Sequence, residues 1–274
     1  LEYLAADEET KIITAYIEGV RQGPRFFKAM KEAAQNKPVV ILKVGTSESG
    51  AEAAVSHTTA LAGSDQIWEG LITQTGAIRA GSIEEMMDLA VAFQHMPAPA
   101  GDRMVITGIG GGASVLLADE FSHAGLSLPR LGDNLRQSLM DVFPSEAGRI
   151  FKNPIDLNHF ETAEKFFRTL KILDQSKEAD MLILHVAFDH FGLISKEEKE
   201  LWVGTFLQLI GQSKKDLAKP LAVILHSFSS PDMTGLAQKA ARDLAGLGIA
   251  VFPSIRRAAL ALSRLTRYHA RHRG

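Results

Sequence analysis

The chain has 274 residues, 46% of them hydrophobic, with 30 Lys or Arg against 32 Asp or Glu, a net charge of -2 and no Cys. No basic excess marks it for nucleic acid or a membrane surface, and no apolar run is long enough to span a bilayer. The lack of Cys excludes a disulfide framework, a thiolate zinc site and an iron–sulfur cluster, and accords with a cytoplasmic location. The length predicts one large or two ordinary domains.

In chain order, Leu1-Glu-Tyr-Leu reads as the middle of a helix. A buried strand is predicted over 12–17, a helix over 26–34 and a second strand over 39–42, introduced by Pro38. Further helices follow over 67–75 and 83–93, the latter capped by Ser82 with Glu85 three residues on. Residues 99–102 are a linker by composition. A second series opens with a strand over 104–107, the glycine run Gly108-Ile109-Gly110-Gly111-Gly112 and a helix over 113–124 closed by Gly125. Apolar strands over 181–186 and 221–225 alternate with helical patterns over 163–173, 197–210, 235–247 and 255–268. The basic end, Arg264 to Arg273, reads as a solvated helix terminus.

Alternating helices and near-continuous apolar strands specify parallel sheets covered on both faces. The expected fold is α/β, with two doubly wound domains: 1–98 and 103–274, joined by 99–102.

In such sheets ligands bind beyond the carboxyl ends of the strands. Glu18-Gly19 ends the first strand; Gly45 to Gly50 follows the second, with His57 beyond. His57 stands in Ser56-His57-Thr58-Thr59-Ala-Leu-Ala-Gly63-Ser64, small residues that leave room for a bulky group at the ring. Imidazole there serves as base, ligand or nucleophile, or is simply a solvated ring in a capped turn. Glu18 is either a solvated turn acid or the partner that fixes an imidazole's tautomer. Gly110, Gly111, Gly112 and Ala113 form an anion cradle at a helix start, or allow tight strand–helix packing. The run lacks both the dinucleotide spacing and the Gly-Lys-Ser/Thr of a nucleoside-triphosphate loop. Asn153-Pro154-Ile155-Asp156 reads as a turn, or as a segment lining the phosphate site. His185 and His226 sit at strand ends, where they either approach the same crevice or are ordinary hydrogen-bonded histidines. Asp189-His190 and Asp156 with His159 complete no metal site or triad.

Taken together, Tyr16-Ile-Glu18-Gly19, Lys37-Pro-Val-Val-Ile-Leu-Lys43-Val-Gly45, Ser56-His57-Thr58…Ala60-Leu-Ala-Gly63-Ser64, Gly110-Gly-Gly112…Asp119 and Asn153-Pro-Ile-Asp156-Leu157 resemble the nucleoside-diphosphate-forming acyl-CoA synthetases, relatives of ADP-forming acetyl-CoA synthetase and succinyl-CoA synthetase. The resemblance spans nearly the whole chain. It implies two flavodoxin-like domains, the first truncated at its N-terminus, and the reaction of acid, CoA and ATP to acyl-CoA, ADP and phosphate. It makes His57 the phosphohistidine, Glu18 the supporting acid, and the helix opening at Gly110–Ala113 a phosphate-binding one. It implies no cofactor bound within the chain. ATP or ADP, Mg and CoA belong to the complete enzyme, with CoA-binding and ATP-grasp domains or a subunit as partners in an oligomer. Thr59 stands where the family usually has Gly, and Ile109 where a small or polar residue is commoner. On this reading the chain is inactive by itself. Those departures leave a second reading: a degenerate domain pair with a non-catalytic assembly or regulatory role. A third is a generic flavodoxin-like binding module.

Overall fold

In the computed structural model the described residues are 1–58, 64–109, 111–143, 148–157, 162–188, 195–227 and 231–273. They form two compact units, Leu1–Gln94 and His95–Gly274.

The first unit opens with α1 (Glu2–Ala6), then β1 (Ile13–Ile17), α2 (Gly23–Asn36) and β2 (Val39–Lys43). Pro24 sits in the first turn of α2, where its missing N–H costs nothing. Ala29, Met30, Ala33 and Ala34 recur at helical spacing and form the buried stripe of α2. Next come α3 (Glu48–Thr58), α4 (Asp65–Thr75), β3 (Ile78–Ala80) and α5 (Ile83–His95). Gly76 ends α4 in the left-handed conformation, φ 80°. Ser82 Oγ accepts the Glu85 N–H at 3.2 Å, while the Glu85 carboxylate reaches the Gly81 N–H rather than that of Ser82. The three strands are parallel in the order β1-β2-β3. Ile13, Val39 and Ile41 pack on Met30 and Ala33 of α2 and Trp68 and Ile72 of α4. Two elements depart from the sequence reading. Residues 48–58 are helical rather than irregular, and the third strand is only three residues long, too short to display a period.

The second unit comprises β4 (Met104–Ile109), α6 (Gly111–His123), α7 (Asp133–Met140), β5 (Ile155–Asp156), α8 (Ala163–Gln175), β6 (Met181–Ala187), α9 (Lys196–Asp216), β7 (Leu221–His226), α10 (Pro231–Gly246), β8 (Ala250–Phe252) and α11 (Ile255–Arg271). All neighbours pair in parallel, in the order β5-β4-β6-β7-β8. Counted within the unit this is 2-1-3-4-5, the flavodoxin-like order. β6 and β7 are buried almost end to end, as strands covered on both faces must be. One face packs Val105, Leu184 and Val223 on Leu139, Phe166, Leu170, Phe206, Ile210 and Leu244. Alternate residues Ile106, Ile183 and Ile224 turn to the opposite face. There α6 packs on α11, tied by a hydrogen bond of 2.6 Å from Ser263 Oγ to the Ala124 carbonyl. Both units are thus α/β with parallel sheets, as the alternation of apolar runs and helical patterns requires.

The segment read as a turn over Asn153–Asp156 contributes instead the edge strand β5. Asn153 explains how so short a strand is held. Its side-chain oxygen accepts from the Ile106 N–H at 3.1 Å, and its amide donates to the carbonyls of Met104 (2.8 Å) and Pro129 (3.2 Å). One side chain thereby substitutes for strand pairing along β4.

Candidate functional site

The carboxyl ends of β1, β2 and β3 define one edge of the first sheet. Ile17 pairs with Lys43 and Leu42 with Ala80, so Glu18 emerges directly beside the end of β2. Glu18 is half-buried and lines a concavity of about 520 Å³ with Tyr16, Ile17, Gly19, Val20, Arg21 and Phe26. A larger concavity of about 750 Å³, between Phe167 and Lys171 of α8 and the end of α9, lies at the opposite edge of the other sheet and takes no part here.

Beyond β2 the chain turns at Gly45, φ 69°, a left-handed conformation that a side chain rarely adopts. Ser47 Oγ then accepts the Gly50 N–H at 3.1 Å, starting α3. A Cβ on Gly50 would stand 3.2 Å from Gly45 Cα, so the two glycines permit this close turn. The backbone of His57 lies in the last turn of α3. Its side chain, and residues 59–63 including Thr59, lie outside the described residues. The chain is back at the same edge by Asp65, where Arg79 Nη2 bonds the Asp65 carboxylate and Nη1 bonds Glu69 Oε2 at 2.7 Å. These carboxylates hold the Arg79 guanidinium well above its ordinary pKa, chiefly through the hydrogen bond to Asp65. The α3 helix therefore starts from the carboxyl edge where Glu18 lies, and α4 begins at that edge.

Lys43 is the residue the sequence reading did not single out for chemistry. It ends an otherwise apolar strand and is only 5% exposed. Its ammonium lies 5.5 Å from the centre of the Trp68 ring and donates to the Val44 carbonyl. Burial is the largest influence on its pKa and pushes it down; Asp65 and Glu18 oppose this, and Arg79 reinforces it. A charge closing an apolar run is the signal that could have found it.

In the second unit, Gly111, Gly112 and Ala113 are the first residues of α6, which starts two residues earlier than its apolar pattern suggests. Gly110 lies outside the described residues, as do Asp189, His190 and His159. The glycines divide into two roles. A Cβ on Gly108 would meet the His185 carbonyl at 2.4 Å, so Gly108 lets β4 and β6 approach. A Cβ on Gly112 would meet nothing within 4 Å, so packing does not demand glycine there. The order 2-1-3-4-5 places the topological switch between β4 and β6, directly before α6. His185 and His226 meet close to that point, with Nε2 of one 3.2 Å from Nδ1 of the other and both rings buried. Asp156 is buried on the same carboxyl edge, paired in register with Gly108. Among the described residues no group of three or more His, Asp or Glu converges as a metal site, and no helix is long and apolar enough to cross a membrane.

Residues 1–93 match the family described as succinyl-CoA ligase like flavodoxin domain. The chain is 42% identical over 183 residues to subunit alpha of the ADP-forming acetate–CoA ligase II of Pyrococcus furiosus, covering 67% of this chain and 39% of that protein. It is 32% identical over 280 aligned positions to subunit alpha of the ADP-forming acetate–CoA ligase I of the same organism, covering 100% of this chain and 56% of the relative. The dinucleotide-forming acetyl-coenzyme A synthetase 1 of Ca. Korarchaeum cryptofilum, solved in complex with phosphate and ADP, superposes with a TM-score of 0.78 at 27% identity, over 99% of this chain and 55% of that one. The chain thus spans roughly two fifths to just over half of these relatives. On the match of its first unit and the likeness that runs through both, the chain belongs to the family of the nucleoside-diphosphate-forming acyl-CoA synthetases.

Proposed function

We propose that this chain forms part of an ADP-forming acyl-CoA synthetase, converting acid, CoA and ATP to acyl-CoA, ADP and phosphate, with His57 as the phosphoryl carrier. The observation that supports this reading is the meeting of two neighbouring strand ends. β1 delivers Glu18, and β2 launches the helix whose last turn holds His57. An imidazole nitrogen attacks the γ-phosphorus of ATP, the bond to the β-phosphate oxygen breaks, and ADP leaves. The carboxylate of the acid then takes the phosphoryl group as acyl phosphate, and the CoA thiolate displaces phosphate. Glu18 accepts a hydrogen bond from the second ring nitrogen, which fixes the tautomer and balances positive charge on the ring. Phosphoryl transfer is promoted mainly by positioning and charge.

The first turn of α6 is proposed as a phosphate cradle. Its free N–H groups and positive dipole end suit an anion, and Gly112 leaves the approach open. Mg²⁺ supplies charge neutralisation on the nucleotide. It is expected to enter with ATP in a nucleotide-binding partner. The subunit-alpha names of the relatives favour a partner subunit, and CoA is expected to bind in such a partner or in further domains.

The test uses the complete enzyme with ATP labelled in its γ-phosphate. An acid-labile, base-stable label is expected, and His57→Asn should abolish both label and turnover. Glu18→Gln should slow labelling by roughly 10²–10⁴-fold, the range of acid–base partners. A wild-type enzyme that takes no label would instead point to an assembly or regulatory role for the pair of domains.

A further inference from the structure

Resting on the reading of His57 as phosphoryl carrier, we propose that Lys43 is the buried cation that receives the phosphate oxygens at the carboxyl edge of the first sheet. The starting point is an imbalance of partners. An ammonium has three donors and no acceptor. That of Lys43 donates to one carbonyl and stands over one ring face, and among the described residues no carboxylate comes within 4.0 Å of it. A charge so deeply buried is normally paired or neutralised. The carboxylates whose fields it feels are engaged elsewhere or held apart: Asp65 is bonded by Arg79, and Glu18 follows the neighbouring strand.

A merely structural residue at this position would be apolar. The preceding residues of the strand are Val, Val, Ile and Leu, and Trp68 and Ile41 offer an apolar slot. Methionine would fill it without the cost of stripping water from an ammonium. A charge kept here, with donors unspent, is suited to an anion that arrives and leaves. The anion is placed by the chain path. Lys43 lies two residues before Gly45 and five before the start of α3, and Asp65, whose field it feels, follows the stretch that carries His57. Glu18, on the other flank, belongs with the ring rather than with the phosphate, since a carboxylate repels phosphate oxygens. The arrangement assigns base and charge stabiliser to adjacent strand ends.

The experiment compares wild type, Lys43→Met, Lys43→Arg and His57→Asn in the complete enzyme. It follows the rate of γ-phosphate labelling, the KM for ATP and the thermal midpoint. Loss of one preorganised charge stabiliser should slow labelling by about 10²–10³-fold with the KM little changed. Lys43→Met should at the same time raise the thermal midpoint, a combination that loss of a structural residue does not give. Lys43→Arg should recover part of the rate. Should Lys43→Met fail to fold, ¹⁵N resonances of lysine side chains in wild type provide the readout, and the Lys43 signal must move on phosphorylation and stay put in His57→Asn. An unmoved signal, or labelling at the wild-type rate in folded Lys43→Met, overturns the role of Lys43 while leaving His57 as carrier. Wild type without any label overturns both.

Discussion

Gly112 is exposed, lies in the first turn of α6, and has open space where a side chain would begin. Glycine within a helix costs roughly 0.5–1 kcal/mol relative to alanine. If the residue served only the helix, alanine would improve it. Gly112→Ala is therefore expected to raise stability by up to that amount, measured by denaturant unfolding, and Gly112→Val to impair phosphoryl transfer in a protein that still folds. Wild-type labelling kinetics in Gly112→Val would remove the cradle from α6. Gly108 behaves oppositely, because a Cβ there collides with backbone of β6. Two glycines four residues apart in one run thus answer to different physics, and sequence alone could not separate them. The same holds for His185 and His226. Each is visible as a polar residue ending an apolar strand, but their 3.2 Å contact joins residues 41 apart in sequence.

At the scale of elements, the register of β4 against β6 is fixed at the strands' amino ends. Arg103 precedes β4 and Asp180 precedes β6, and Asp180 Oδ1 accepts from Arg103 Nη2 at 2.7 Å. Its other oxygen accepts from Arg103 Nε at 2.9 Å and from the Arg103 backbone N–H at 3.1 Å. The Arg103 carbonyl accepts in turn from the Asp180 N–H at 2.8 Å. A slip of one residue would turn every side chain of the strand to the wrong face. The hydrogen bond to Arg103 holds the Asp180 carboxyl below its ordinary pKa of 3.8, against the opposing effect of burial. A pKa depressed by folding gives stability that is complete above the unfolded value and lost as pH falls through the folded one. This contribution should therefore be intact at pH 7 and disappear only below about pH 4. Asp180→Asn should cost roughly 1–3 kcal/mol near neutrality. The gap between mutant and wild type should close as the acid limit is approached, a point read from urea midpoints at several pH values. A gap that stays constant with pH would show that shape rather than charge does the holding.

At the scale of the molecule, the two units have cores of different size. That of the first is built from one short sheet against α2 and α4, with Ala contributing many of the buried positions. That of the second gathers several Phe side chains and five strands. Stabilisation scales with apolar area removed from water, about 25 cal/mol per Å². The two tryptophans of the chain report the units separately: Trp68 is buried beside Phe26, and Trp202 stacks on Phe206 at 5.0 Å. Fluorescence of Trp202→Phe should therefore show its transition at lower denaturant than that of Trp68→Phe. Coincident midpoints would mean that the units unfold as one.

The alternation of apolar runs with helical stripes was enough to set the fold class and the positions of the long elements. Those patterns are local consequences of burial, and the residues of β6, β7 and α2 carry them in full. The glycine run, Glu18 and the small-residue stretch around His57 also stand out in the sequence as candidates, because their residue types are unusual for a buried strand or an amphipathic helix. Short elements do not stand out. β3, β5 and β8 have two or three residues each and exist because neighbours pair with them, or because Asn153 holds the chain in place. The charge environment likewise belongs to the tertiary structure. In sequence Lys43 is only the residue that follows the strand predicted over 39–42. Only the packing of Trp68 over it, and the capture of Asp65 by Arg79, make it a buried cation with donors to spare among the described residues. Periodicity records which face of an element is buried, but the pairing of charges depends on distances between segments far apart in the chain.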